Sequence, residues 1–134
     1  MVIDTSALIA ILLREPRAEA VARAVRSDPL HLLGTPTRTE TMIVARGRLG
    51  AEGIVELHAL IEEIGVTDVL FDRRLADLAG EAYATYGKGN HRARLNLGDC
   101  FTYAVAKRTG ELILCVGDDF SRTDVAVVPL GDLD

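Results

Sequence analysis

Four acidic residues are spread along the chain in settings that suggest a shared binding site for a divalent metal ion. Each carboxylate lies beside a small or hydroxyl residue, at the predicted end of a strand or in the first turns of a helix. The four are Asp4, Glu40, Asp99 and Asp119. Carboxylates that share one site repel one another and lose hydration, and a bound cation relieves both penalties. Hard divalent ions prefer oxygen ligands, so the set predicts a Mg²⁺ site at which Mn²⁺ can substitute.

A Mg²⁺ site of this kind suits the hydrolysis of phosphodiester bonds. The ion orients and activates water, polarises the phosphoryl oxygen and stabilises the leaving oxyanion. Each acid also has a purely structural interpretation, because an acid at a helix start usually serves as a cap or interacts favourably with the helix dipole. The metal hypothesis therefore depends on all four carboxylates lying together at one edge of the fold.

Hydroxyl and amide side chains flank the four acids. They are Thr5, Ser6, Asn96 and Thr123. Such groups can orient metal ligands or the waters bound to the metal. Alternatively, Thr5 and Ser6 cap the first helix, while Asn96 and Thr123 satisfy the backbone of turns. The sequence leaves both interpretations open.

Short apolar runs alternate with longer segments of helical period, a pattern typical of an α/β fold with a mostly parallel sheet. The predicted strands are Met1–Ile3, Leu30–Leu33, Val66–Phe71, Leu112–Val116 and Val125–Val128. The predicted helices are Thr5–Leu13, Pro16–Ser27, Pro36–Leu49, Ala51–Ile64, Asp72–Tyr86 and Asp99–Thr109. Sites in open parallel sheets form beyond the carboxyl ends of the strands, where Asp4, Asp99 and Asp119 are expected.

Size and composition fit a single globular domain over residues 1–134, of which 49% are hydrophobic. A net charge of −5 argues against a protein that coats nucleic acid or anionic membrane through overall positive potential. Cys100 and Cys115 lie in apolar runs outside any Cys-x-x-Cys motif, so we expect reduced, buried thiols. Without a basic leader or an apolar run of the roughly 18 residues that a membrane span needs, a cytoplasmic location is expected.

The segment Lys88–Leu97 is the one irregular stretch, rich in Gly, Asn and basic residues. Its basic side chains form the densest cationic cluster in the chain: Lys88, His91, Arg92 and Arg94. One hypothesis is that this loop holds the phosphates of a substrate near Asp99, and the alternative is an ordinary solvated loop. The three histidines of the chain lack the paired spacing of a zinc site.

Four motifs, in the right order, resemble the PIN-domain family and specifically the VapC-type toxins of bacterial and archaeal toxin–antitoxin pairs. The motifs are Val-Ile-Asp-Thr-Ser-Ala-Leu at the N-terminus, Thr-Glu on the third helix, Tyr-Gly-Lys-Gly before Leu-Asn-Leu-Gly-Asp-Cys-Phe, and Gly-Asp-Asp-Phe-Ser-Arg-Thr-Asp near the end. The resemblance spans the whole chain. It implies a PIN-like α/β/α sandwich around a central, mostly parallel sheet of about five strands.

The resemblance also implies a Mg²⁺- or Mn²⁺-dependent endoribonuclease that a VapB-type antitoxin holds inactive. The substrate that the basic loop would guide toward Asp99 is then RNA. Asp4 and Asp99 match the positions expected to contact the metal most directly. Glu40 and Asp119 would complete the pocket, through water or a second metal. The family further implies a homodimer, and contact with operator DNA only through the antitoxin.

The last motif departs from the family pattern, because Asp118 stands where an asparagine is common. We assign the neighbouring Asp119 to the site, since it precedes Phe120 as in the family motif. Asp124 is interpreted as a residue that caps or solvates a turn.

Two alternative functions use the same residues differently. In one, the chain is a catalytically weak interaction module that acts mainly through antitoxin binding and transcriptional autoregulation. In the other, Asp4 is the phosphoacceptor of a receiver-type site, although Thr-Ser follows it rather than an Asp-x-Asp arrangement. Loss of RNA cleavage on replacing the acids would separate a nuclease from both. The RNA that is cleaved cannot be read from the sequence, because selectivity depends on surface shape and RNA structure.

Overall fold

A four-stranded parallel sheet forms the centre of the fold, and the computed structural model describes residues 1–132. The strands are β1 (Val2–Ile3), β2 (Leu32–Gly34), β3 (Thr67–Val69) and β4 (Ile113–Leu114), in the order β3-β2-β1-β4. The helices are α1 (Thr5–Leu12), α2 (Ala18–Arg26), α3 (Thr35–Leu49), α4 (Ala51–Ile64), α5 (Arg73–Tyr86) and α6 (Leu97–Thr109). A short 3-10 helix follows at Phe120–Arg122.

Two hydrophobic cores lie on opposite faces of the sheet, because successive side chains of a strand point to opposite sides. In three strands, adjacent residues belong to different cores: Val2 and Ile3, Leu32 and Leu33, and Ile113 and Leu114. The first of each pair packs with residues of α5 and α6, and the second with residues of α1, α2 and α4. This arrangement confirms the predicted α/β/α sandwich.

The helix predictions agree with the structure to within two residues at each end, and Ala51–Ile64 is reproduced without change. Within residues 1–132, no helix is long and apolar enough to cross a membrane. Cys100 and Cys115 are buried free thiols, as predicted.

The fifth predicted strand, Val125–Val128, is not a strand in the structure, so the sheet has four strands rather than about five. This segment makes only an isolated parallel bridge, between Val127 and Ile113. The N–H of Val128 donates to the carbonyl oxygen of Ile113 at 2.8 Å. The pairing extends to neither side of this bridge, so the apolar segment does not form a strand.

The carboxyl ends of β1 and β4 lie beside the N-termini of three helices. Asp4 links β1 to α1 as the N-cap of that helix, while α3 follows β2 directly. The third helix, α6, begins after its N-cap Asn96. This meeting of strand ends and helix starts positions the acidic side chains described next.

Candidate metal centre

Asp4 is the most deeply buried of the four acids, at 4% exposure, and three hydrogen bonds hold its carboxylate. Oδ2 accepts from the backbone N–H of Ser6 at 3.0 Å and from the Ser6 hydroxyl at 2.6 Å. Oδ1 accepts from the hydroxyl of Thr102 at 2.7 Å. Ser6 Oγ in turn accepts from the N–H of Val116 at 3.0 Å, which ties Asp4 to the segment after β4.

Glu40 reaches the same region from α3. Its Oε1 accepts a hydrogen bond from Thr5 Oγ1 at 2.6 Å, and its carboxylate lies directly against Gly98 in the first turn of α6. Burial raises the pKa of Glu40, the negative charge of Asp4 raises it further, and the Thr5 hydrogen bond partly offsets both effects. Glu40 is therefore close enough to Asp4 for the two charges to interact.

Asp99 combines a structural contact with a strongly perturbed acidity. With Asn96 it forms a capping box, in which Asp99 Oδ2 accepts from the Asn96 N–H at 3.0 Å and Asn96 Oδ1 accepts from the Asp99 N–H at 2.9 Å. Burial is the largest of the effects that raise the pKa of Asp99 to about 6, and the charges of Asp4, Asp119 and Glu40 add to it. The cap thus places Asp99 within electrostatic reach of all three other acids.

Asp119 is the most exposed of the four and lies at the start of the 3-10 helix. Its neighbour Asp118 instead forms an ion pair with Arg122, whose Nη2 donates at 2.8 Å. Asp119, and not Asp118, is one of the three acids whose charges help to raise the pKa of Asp99. The hydroxyl of Thr123 donates to the carbonyl oxygen of Phe120 at 2.7 Å, so it satisfies a turn.

Asp124 is part of a separate ion pair away from this site. It accepts from Tyr103 Oη and from Lys107 Nζ, each at 2.6 Å. These contacts hold the pKa of Asp124 below its ordinary value, the Lys107 hydrogen bond contributing most. Its role is structural, which agrees with the interpretation from the sequence.

A cleft of about 390 Å³ connects three of the acids. Its lining includes Asp4, Glu40, Asp99, Thr5, Ser6, Asn96, Glu15 and Val116. The sequence analysis did not single out Glu15, nor did it single out Thr102, whose hydroxyl donates to Asp4. A signal for Thr102 was present, because residues three apart on a helix share a face and Thr102 is three residues after Asp99.

The donor set of the cleft fits a hard divalent cation. Among residues 1–132, no three His, Cys, Asp or Glu side chains are grouped closely enough to form a ready-made three-ligand site. Mg²⁺, however, usually takes one or two carboxylates and keeps several waters, which requires an open, oxygen-lined space. The helix cap uses Oδ2 of Asp99 and leaves Oδ1 available to such an ion.

Backbone hydrogen bonds join the two ends of the basic loop that follows α5. The N–H of Lys88 donates to the carbonyl oxygen of Leu95 at 2.9 Å, and the N–H of Leu95 donates to that of Tyr86 at 3.0 Å. His91 Nδ1 accepts from the N–H of Ala93 at 2.9 Å, and its ring meets the Tyr86 ring edge-to-face with centroids 5.0 Å apart. His91 therefore stabilises the loop.

The other three basic side chains of this loop are exposed, and within residues 1–132 they form no salt bridge. They are Lys88, Arg92 and Arg94. None of them lines the acidic cleft itself.

Comparison with known proteins identifies the family of this arrangement. The PIN domain matches residues 1–126. The chain belongs to the PIN-domain family. It is 49% identical over 128 residues to a ribonuclease VapC of Mycolicibacterium smegmatis, a match covering 96% of this chain and 99% of that protein. The chain is thus a VapC-type toxin of the ribonuclease class, as the four motifs predicted.

Two solved structures share the fold of this PIN-domain protein. One is VapC20 of Mycobacterium tuberculosis, described as a sarcin-ricin loop cleaving toxin, with a TM-score of 0.79, 19% identity, and coverage of 95% of this chain and 97% of that one. The other is a toxin–antitoxin complex from Klebsiella pneumoniae, with a TM-score of 0.71, 16% identity, and 98% coverage of both chains. PIN-domain ribonucleases generally use divalent metals, a requirement that the oxygen-lined cleft fits.

Replacing Thr102 with Val should destabilise this PIN domain. The change keeps the shape of the side chain but removes the donor to Asp4 Oδ1, leaving a buried charged oxygen with one fewer partner. The expected loss in the free energy of unfolding is about 1–3 kcal/mol, measured by urea denaturation. Thr39→Val, which alters an exposed hydroxyl on α3, is the matched control. Equal stability of the two variants would contradict the role given to Thr102.

Proposed function

We propose that this VapC-type ribonuclease hydrolyses RNA phosphodiester bonds with a Mg²⁺ ion held in the acidic cleft. The observation that carries the proposal is the meeting of carboxylates from separate parts of the chain at the carboxyl edge of the sheet, where Asp4, Glu40 and Asp99 line one cleft. Asp4 and Asp99 would hold the ion most directly. Glu40 and Asp119 would complete its surroundings, through water or a second ion.

The side chains around the acids have distinct tasks in this proposal. Ser6 and Thr102 hold the Asp4 carboxylate in one orientation by donating to both of its oxygens. Thr5 orients Glu40, and Asn96 fixes the start of α6 from which Asp99 projects. When bound, the ion supplies activation of water and stabilisation of the charge that develops on the phosphate.

Removal of divalent metal is expected to abolish cleavage. The purified chain, freed of any partner, would be incubated with a panel of structured RNAs in Mg²⁺, in Mn²⁺ or in EDTA. Cleavage should occur with either ion, disappear in EDTA and return when Mg²⁺ is added in excess. Cleavage that persists in EDTA would contradict the metal-dependent mechanism. A protein inert under all conditions that still binds an antitoxin would favour the alternative of an interaction module.

The three exposed cations of the basic loop are proposed to hold the RNA backbone near the cleft. Replacing Lys88, Arg92 and Arg94 together with Ala should weaken RNA binding and reduce the salt dependence of the binding constant by about one unit of slope per lost phosphate contact. His91 is left intact because it stabilises the loop.

The matched control for this triple variant removes three exposed arginines from elsewhere on the surface: Arg23, Arg46 and Arg48. Both variants lose three positive charges, so a general charge effect would weaken RNA binding equally in the two. A salt slope that is the same in the loop variant as in the unaltered chain would contradict the RNA-guiding role.

We further infer that the partner of this chain is a VapB-type antitoxin. The inference is supported by its similarity to a VapC ribonuclease and by the fold that it shares with a chain of a toxin–antitoxin complex. A homodimer, contact with operator DNA only through the antitoxin and action in the cytoplasm belong to the same proposal. When the chain is co-expressed and purified together with the antitoxin, the pair should cleave RNA more slowly than the chain alone.

A further inference from the structure

The Glu40 carboxylate occupies the space that a side chain at position 98 would fill. A Cβ atom built on Gly98 would overlap Glu40 Oε2 and lie 2.7 Å from Oε1. The three nearest heavy atoms to that Cβ position all belong to the Glu40 carboxyl group. Any side chain at this position would therefore displace the carboxylate from where it lies.

The opposite side of the Glu40 carboxylate is also held. Thr5 Oγ1 donates to Oε1 at 2.6 Å and lies 2.9 Å from Thr41 Oγ1. Thr5 follows Asp4 in the chain, and Gly98 precedes Asp99. The Glu40 carboxylate is thus clamped between the two residues that adjoin the proposed metal ligands.

The backbone gives no reason for a glycine at this position. Gly98 lies within α6 and is not among the residues with positive φ. Alanine is a better helix former than glycine, so helix propensity alone would favour alanine at this position. The contact with Glu40 is the feature of the structure that requires the missing side chain.

We propose that Gly98 is a positioning residue of this ribonuclease, whose lack of a side chain lets the Glu40 carboxylate reach the cleft between Asp4 and Asp99. The proposal rests on the metal-dependent function proposed above. Gly98 itself touches neither metal nor substrate in this scheme and acts only through Glu40.

The Gly98→Ala variant should separate stability from activity. Its melting temperature is expected to equal or exceed that of the unaltered chain, because alanine favours the helix and the displaced group is the end of a flexible side chain. RNA cleavage is expected to fall on the order of 100-fold, since a misplacement of about 1 Å at a reacting centre has effects of that size. The affinity of the free protein for Mn²⁺, measured by calorimetric titration, should fall as well.

Gly47→Ala is the matched control. Gly47 lies on α3, the helix that carries Glu40, and a Cβ added there meets no atom within 4 Å. The control should leave cleavage and Mn²⁺ affinity unchanged, so any loss specific to Gly98→Ala would report on the Glu40 contact.

A double-mutant cycle with Glu40→Asp tests whether Gly98 acts through Glu40. The shorter acid withdraws the carboxylate from position 98, so adding Gly98→Ala to Glu40→Asp should change cleavage by less than about threefold. Such non-additivity is expected for residues in contact. Full additivity of the two losses would overturn the proposal.

Two further outcomes keep this proposal separate from the proposed function. If Gly98→Ala cleaves RNA and binds Mn²⁺ like the unaltered chain while Glu40→Gln is inactive, the role of Gly98 is wrong and that of Glu40 stands. If Glu40→Gln is fully active, Glu40 has no part in the reaction. The role proposed for Gly98 is then wrong, and the proposed metal site keeps only the other three acids. A fall in melting temperature of Gly98→Ala together with additive losses would indicate a purely structural glycine.

Discussion

Asp4→Asn is expected to abolish RNA cleavage while leaving a folded protein. Asparagine can still cap α1, but it has one acceptor oxygen where the carboxylate has two. Since Ser6 and Thr102 donate to different oxygens of Asp4, the new NH₂ group replaces one of the two acceptors and one of these donated hydrogen bonds is lost. The charge that would hold a divalent ion is lost at the same time. We expect the cleavage rate in Mg²⁺ to fall on the order of 100- to 1,000-fold, the range seen when one electrostatic stabiliser is removed.

Asp77→Asn provides the comparison for this variant. Asp77 is an exposed acid on α5 and does not line the cleft, so the Asp77→Asn variant should cleave RNA at the rate of the unaltered chain. Thermal melting of both variants would verify that each is folded. An Asp4→Asn protein with more than about a third of the original rate would rule out Asp4 as a metal ligand.

The metal-free Asp99→Asn variant is expected to be more stable than the unaltered chain at neutral pH, although it should lose RNA cleavage. Burial and the charges of three neighbouring acids raise the pKa of Asp99 to about 6 from the ordinary 3.8. Between these two pH values the folded state binds more protons than the unfolded state. The free energy of unfolding therefore falls as the pH rises through this window and stays lower above it. Asparagine carries no charge, and its amide oxygen can still accept from the Asn96 N–H.

This prediction is tested by melting both proteins in EDTA at about pH 5 and about pH 7.5. The stability advantage of Asp99→Asn should be smaller at the lower pH, where Asp99 of the folded state is still largely protonated, than at the higher one. Added Mn²⁺ should stabilise the unaltered chain, by about 2.7 kcal/mol at an ion concentration 100 times the Kd, and should have little effect on the variant. A variant that is less stable at about pH 7.5, or that gains equal stability from Mn²⁺, would contradict this account of Asp99.

The helices and four of the strands were predictable from the sequence because their signals are local. Helix α4 is bounded by glycines at both ends, and the Val-Ile-Asp-Thr-Ser segment marks the passage from β1 to α1. The fifth predicted strand was wrong because a short apolar run does not ensure pairing, and this segment meets β4 only at the bridge between Val127 and Ile113. The pairing of Asp118 with Arg122 was not predicted, although the two residues are only four positions apart.

The contacts that complete the candidate site were not predictable, because they depend on side chains brought together from distant segments. The hydrogen bond between Thr102 and Asp4 joins residues 98 positions apart. The contact between Gly98 and Glu40 depends on the rotamer that Glu40 adopts on α3. His91 was grouped with the basic side chains by composition, whereas its contact with the Tyr86 ring appears only when the loop is closed.

The hydrogen bonds that fix Asp4 also determine when during synthesis the acidic cleft can exist. Thr102 supplies one donor directly, and the Val116 N–H holds Ser6, a contact across 110 positions. A nascent chain that has exposed only its first hundred residues lacks both groups, even though its first strand and helix are already present. The cleft can therefore assemble only once the chain through Val116 has left the ribosome, and an antitoxin that recognises the completed cleft cannot capture a shorter nascent chain.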